Sequence, residues 1–183
     1  GCKTGKSSDF MNKRSQDFNM GWRFHRDIVQ GPENPEFDDS VWREVDLPHD
    51  WSIEDLPIQD SMHHGPFYKG LEKGADVGYL GGGTGWYRKS FTVDREDEDK
   101  LVFLHFDGVQ SEMKLWVNGH KVGEHVYGYT PFFFDLTPHL LLPGKSNQIT
   151  VKVVNPESNS RWFNGAGIYR DVKLSLLNPL SVD

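Results

Sequence analysis

Arg161, Trp162 and Asn164 lie together in the stretch RWFNGAGIYRDV, Arg161–Val172. Arg161 can make forked hydrogen bonds to vicinal hydroxyls or pair with an acid. Trp162, beside Phe163, offers a flat apolar face that suits a ring or the core. Asn164 brings an acceptor and two donors, and is equally at home shaping a turn. Gly165 and Gly167 let the backbone turn where a side chain would clash. Ile168–Leu176 then reads as a strand. Guanidinium, aromatic and amide groups at a strand mouth suit a polar, ring-shaped ligand, with sugar as the first candidate.

Other chemistries find less support. Two carboxylates working as an acid–nucleophile or acid–base pair must meet about 5–9 Å apart, one of them raised in pKa by burial. The 27 acidic residues instead fall in turns, as in the charged turn Asp94–Lys100, or beside strand ends, as at Asp107 and Asp135, where solvation is the favoured reading. No Ser sits in a GxSxG setting, and the single Cys is in the leader, so no nucleophile stands out and no catalytic residue is assigned. Gly81-Gly82-Gly83-Thr84-Gly85 leads into a strand rather than a helix, which excludes a phosphate loop. His63 and His64 are adjacent and point apart on an extended chain. His105, His120 and His125 have no Cys partners, so they read as packed or solvated, and neither a metal nor a cofactor is expected. Arg170, beside Asp171, reads as one half of a structural ion pair.

Composition narrows the class. A chain of 183 residues suits one domain with a real core. Its formal charge of −7, with basic residues scattered, argues against a nucleic-acid partner, which needs clustered Lys and Arg. No apolar run approaches the ~18 residues of a membrane helix. The lone cysteine, Cys2, cannot form an internal disulfide. It sits in a polar leader, GCKTGKSSDFMNKRSQ, too poor in apolar residues to order itself. The leader admits two readings: a flexible tail with an incidental thiol, or a bacterial lipoprotein start lipidated at Cys2. The second implies an exported protein, periplasmic or at the cell surface, whose only membrane contact is that anchor.

The elements that would position these residues are strands. Gly85–Val93 alternates, with Tyr87, Lys89, Phe91 and Val93 on one face and Trp86, Arg88, Ser90 and Thr92 on the other. Leu101–Val109 is apolar on both faces. Met113–Val117 runs into Asn118-Gly119, a type I′ hairpin signal, with Lys121–Val126 returning. Ile149, Val151 and Val153 share a face of Gln148–Val154, as do Val172, Leu174 and Leu176 of the last strand. Leu142–Lys145 marks a turn. Thr137–Leu142 suits a short helical turn with Thr137 as cap and Pro138 first. Pro32–Asp39 and Pro57–Gly83 read as loops, and the length of the second suggests function. Strands at this spacing predict an all-β jelly-roll sandwich over 21–183, preceded by a flexible leader over 1–20.

Several segments carry a family resemblance. FDDSVWREVD (Phe37–Asp46) with LPHDW (Leu47–Trp51), GTGWYRKSF (Gly83–Phe91), FDGVQSEMKLWVNGHKVGEH (Phe106–His125) and SRWFNGAGIYRDV (Ser160–Val172) resemble, in order, the N-terminal region of family 2 glycoside hydrolases, the β-galactosidases and their relatives. The resemblance implies a galactose-binding-like jelly roll, the sugar-binding domain, followed in the polypeptide by an immunoglobulin-like domain and a TIM barrel with two catalytic glutamates. In that frame the chain is expected to shape the pocket for a β-glycoside (galactoside, glucuronide or mannoside) and to be inactive alone. Arg161, Trp162 and Asn164 match the positions nearest the sugar. His49 and Asp50 are expected to hold a loop by hydrogen bonds rather than touch substrate. The alternatives are a free-standing carbohydrate-binding module and a purely structural docking sandwich.

Overall fold

The structure, a computed structural model, describes residues 14–54, 63–64, 67–68, 83–126, 130–156 and 165–179. Its early elements are β1 (Arg14–Asp17), β2 (Trp22–Arg26), β3 (Arg43–Val45), the single helical turn α1 (Trp51–Glu54), β4 (His63–His64) and β5 (Phe67–Tyr68). They are followed by β6 (Gly83–Thr92), β7 (Leu101–Phe106), β8 (Glu112–Val117), β9 (His120–Val126), β10 (Phe132–Asp135), β11 (Ser146–Asn155) and β12 (Val172–Leu177). A four-stranded sheet, β1-β12-β7-β10, faces a six-stranded sheet, β3-β2-β6-β11-β8-β9, while β4 and β5 pair with each other. The result is the expected all-β jelly-roll sandwich.

Side-chain alternation sets the core. Met113, Leu115 and Val117 of β8 and Ile149, Val151 and Val153 of β11 are buried from the larger sheet, and Val102, Leu104, Phe106, Val172, Leu174 and Leu176 from the smaller. Val151 lies opposite Leu115 and Leu174 opposite Leu104, so inward residues stack in register across strands. Each such side chain contributes about 1.5–3 kcal/mol by leaving water. At the β8–β9 hairpin Asn118 has φ 50° and Gly119 φ 83°, the backbone that a type I′ turn demands. Asn118 is also a tertiary bolt: its Oδ1 accepts from Gln148 N–H at 2.9 Å, and its Nδ2 donates to the His139 carbonyl at 2.8 Å.

Several local expectations change. β7 is not apolar on both faces in the sense of being buried on both, because Phe103 and His105 are only half-buried on its outer side, packed against the exposed ring of Phe133. Thr137 does not cap its helical turn. It is the first residue of a 3₁₀ turn, Thr137–His139, and Asp135 Oδ1 accepts its N–H at 2.9 Å. The Thr137 hydroxyl instead accepts the Val102 N–H at 2.8 Å, joining the turn to β7. The last strand begins at Val172 rather than Ile168, because the residues before it bond to loops.

The boundary drawn at residue 20 falls inside the sandwich. β1 pairs with β12 from Arg14 opposite Leu176 to Asp17 opposite Lys173, and Phe18 is in the core at 4% exposure. Asn19 Oδ1 accepts from Val172 N–H at 2.8 Å. The strand RSQD is exposed throughout, so its order comes from backbone pairing at a sheet edge, for which polar side chains give no signal.

Candidate functional site

The described residues nearest the RWFNGAGIYRDV motif form a corner in which the Ala166–Ile168 backbone is bonded throughout. Ala166, Gly167 and Ile168 are buried, and each of their backbone groups has a partner. The Ala166 N–H donates to Asp50 Oδ1 at 2.9 Å, and its carbonyl accepts Trp51 N–H at 3.0 Å. Gly167 exchanges both backbone bonds with Gln110, at 3.0 and 3.2 Å. Ile168 N–H donates to the Tyr87 hydroxyl at 3.4 Å, and its carbonyl accepts His49 N–H at 2.8 Å. A buried turn survives only when its polar groups are satisfied in this way. Gly167 has φ 114°, and a Cβ there would overlap the Tyr87 hydroxyl and crowd the His49 carbonyl. Glycine is therefore required by space and by backbone conformation.

LPHDW supplies most of these partners. Asp50 Oδ1 also accepts Ser52 N–H at 2.9 Å, which starts α1. Trp51 is fully buried, stacks on Phe24 at 5.8 Å, and lies so close to β6 that a Cβ at Gly85 would overlap its ring. His49 and Asp50 thus hold loops by hydrogen bonds, as expected. The corner extends outward through His49: Nδ1 is 2.7 Å from the Tyr87 hydroxyl, and Nε2 is 3.0 Å from Glu54 Oε1. Arg43 Nη2 donates to Glu54 Oε2 at 2.6 Å. Burial pushes the His49 imidazole below its ordinary 6.5, with Glu54 opposing. For the Glu54 carboxyl, burial acts upward, but hydrogen bonds from Arg43 and His49 together hold it below the ordinary value. Burial drives the Tyr87 hydroxyl well above 10.0, so it stays protonated.

Arg161, Trp162 and Asn164 lie outside the described residues, as do Cys2 and most of Pro57–Gly83. Within that loop, β4 and β5 pair His63 with Tyr68 and His64 with Phe67. Gly83-Thr84-Gly85 is already strand, in agreement with the reading against a phosphate loop. Arg170 is exposed on a bend rather than in a strand, with its guanidinium 5.4 Å from the Tyr169 ring. The charged turn also differs from expectation at one residue. Asp97 is 2% exposed and pairs with Lys100 at 2.9 Å and with Arg14. Its carboxyl is held below the ordinary value by the hydrogen bond from Lys100, against burial and with help from Arg14.

Sequence reasoning missed Tyr87, Glu54, Arg43 and Gln110 as members of the corner. Tyr87 carried a usable signal: an inward-facing tyrosine on a central strand needs a partner for its hydroxyl. The others are brought in only by the fold.

Comparison with known proteins agrees with this architecture. Residues 16–178 match the profile of glycosyl hydrolases family 2, sugar binding domain. A β-galactosidase of Bacteroides ovatus, BoGH2A, is 42% identical over 178 residues, which are 96% of this chain and 20% of that protein. A β-glucuronidase of Formosa agariphila is 31% identical over 93% of this chain and 18% of its own length. The crystal structure of a glycosyl hydrolase family 2 member from Bacteroides cellulosilyticus superimposes with a TM-score of 0.79 at 42% identity, covering 90% of this chain and 21% of that one. The chain therefore spans about a fifth of the length of the relatives it matches. It belongs to the sugar-binding domain family of the family 2 glycosyl hydrolases.

Proposed function

We propose that this sandwich forms one wall of the substrate pocket of a β-glycoside hydrolase of the β-galactosidase and β-glucuronidase kind. Cleavage, with retention at the anomeric carbon, is the work of a TIM barrel elsewhere in the parent polypeptide, reached through an immunoglobulin-like domain. Arg161, Trp162 and Asn164 contact the sugar. The observation that carries this reading is the bonded turn Ala166–Ile168, which directly follows these residues in the chain and fixes the point from which they depart. A recognition loop needs such a rigid root, because ordering a loop on binding subtracts from affinity.

Steady-state kinetics of the parent enzyme on aryl β-galactoside and aryl β-glucuronide tests it. Trp162→Ala is expected to raise KM with kcat little changed. Unchanged kinetics on both substrates would assign Trp162 to packing and sink the contact. Calorimetry of the 183-residue chain with the same sugars is expected to show weak binding or none, since one wall lacks its partner contacts. Micromolar affinity would favour the free-standing module instead.

The parent protein is further proposed to be exported and anchored by lipid at Cys2, a reading supported by a lone thiol in a polar leader. Partition of the natively expressed protein into a detergent phase, lost in Cys2→Ser, is the expected result. An unmodified thiol by mass spectrometry would refute it.

A further inference from the structure

The bonds around His49 run in one direction. Its Nε2 lies 3.0 Å from a Glu54 carboxylate oxygen and 3.5 Å from the Arg43 guanidinium, so Nε2 carries the proton and donates to Glu54. Nδ1 is then an acceptor, and at 2.7 Å the Tyr87 hydroxyl donates to it. The Tyr87 oxygen in turn accepts Ile168 N–H. An unbroken chain of donors thus leads from the buried backbone of Ile168, through Tyr87 and His49, to the Glu54 carboxylate, which also accepts from Arg43 on its outer side. The groups facing His49 are Tyr87 from β6, Glu54 from α1, Arg43 from β3, the neighbouring Asp50, and the Phe24 ring of β2 at 4.5 Å.

A second proton on His49 reverses one link. Nδ1–H would then point at the Tyr87 oxygen, and the Tyr87 O–H would lose its acceptor. Tyr87 is fully buried, so water cannot substitute. Relief requires the Tyr87 hydroxyl to turn or move, and the Ile168 amide depends on that oxygen.

We propose that Tyr87 and His49 are positioning residues, in which neutral His49 locks the Ala166–Ile168 turn and protonation of His49 loosens it. Its consequence for substrate rests on the pocket reading above. The turn is held below by Asp50 and Gln110 whatever the state of His49, so the loosening is local and leaves the sandwich folded. The direction of the switch follows from the imidazole being a base, and burial moves the changeover to the acid side of its ordinary value. The locked state fills at neutral pH and empties on the acid side.

Amide hydrogen exchange followed by NMR on the wild-type chain tests this without any variant. Between about pH 7 and pH 5, exchange at Ile168, corrected for its intrinsic rate, is expected to quicken about tenfold. The amides of Val151 and Leu115, in the sheet interior, should hold constant. Tyr87→Phe should show the fast Ile168 exchange at every pH. His49→Asn, which keeps an acceptor near Nδ1 but cannot titrate, should lose the pH response. A pH-independent Ile168, or equal acceleration at Val151, would overturn the proposal. In the parent enzyme, KM is expected to rise with acid in the wild type and to be high and pH-flat in Tyr87→Phe, with kcat little changed. A localised exchange response with KM indifferent to both Tyr87→Phe and Trp162→Ala would uphold the relay and refute the pocket reading.

Discussion

Tyr87 and Arg88 are neighbours on β6 and point to opposite faces of the same sheet, and both are buried. Tyr87 points inward, and its neutral hydroxyl joins the imidazole of His49 to the backbone of Ile168. Arg88 points outward, where alternation alone would leave it in water, but residues 32–39 fold over it. Its Nε donates to Asp39 at 2.7 Å, and its terminal nitrogens reach the carbonyls of Pro32, Asn34, Pro35 and Phe37 and the Thr150 hydroxyl. The Phe37 ring lies 5.4 Å from the guanidinium. One centre is therefore organised by a permanent charge surrounded by oxygens. The other depends on hydrogen-bond directions that a single proton can reverse. The first suits a fixed scaffold, and the second a part whose order can be tuned.

The sharpest way to break this comparison is Arg88→Ala. It strands a carboxylate and several carbonyls beneath a loop, and is expected to cost about 3–5 kcal/mol in urea unfolding. A loss under 1 kcal/mol would show that water enters and replaces the guanidinium. Gly167→Ala comes next, with a loss of about 2–4 kcal/mol from backbone strain and overlap with Tyr87. Preserved stability there would mean that the turn can shift freely. Tyr87→Phe removes one hydroxyl and leaves Ile168 N–H and His49 Nδ1 without their partner, for about 1–2 kcal/mol. Because Arg88 keeps its full set of bonds in that variant, its loop should retain its amide protection.

The smallest expected effect is the pH dependence of stability. His49 has a folded pKa below its ordinary 6.5, so the unfolded chain takes up the proton first. Stability is then complete above about 6.5 and declines as pH falls towards the lower folded value. Urea midpoints across that range should show this slope in the wild type and lose it in His49→Asn. A slope that persists in His49→Asn would place the titrating group elsewhere.

The strand pattern was legible because alternation at period two survives any change of neighbours. Ile149, Val151 and Val153 had to share a face, and Asn118-Gly119 had to turn. Exceptions arise where a residue answers to something remote in sequence. Arg88 reads as exposed until residues 32–39 cover it, and Asp97 reads as solvated until Arg14 and Lys100 close on it. Arg14–Asp17 reads as leader because backbone pairing with β12 leaves no apolar trace. The loop-holding role of His49 and Asp50 was legible from LPHDW, but their partners were not.

The sequence by itself determined an all-β sandwich, its inward faces, its hairpin and its kinship with the family 2 sugar-binding domains, since these follow from local periodicity, turn chemistry and ordered motifs. Only the tertiary structure decided that Asp50 would bond Ala166, that Gln110 would bond Gly167, and that Tyr87 would join His49 to Ile168. Each of these contacts spans tens of residues and exists because packing two sheets leaves buried polar groups that must find one another.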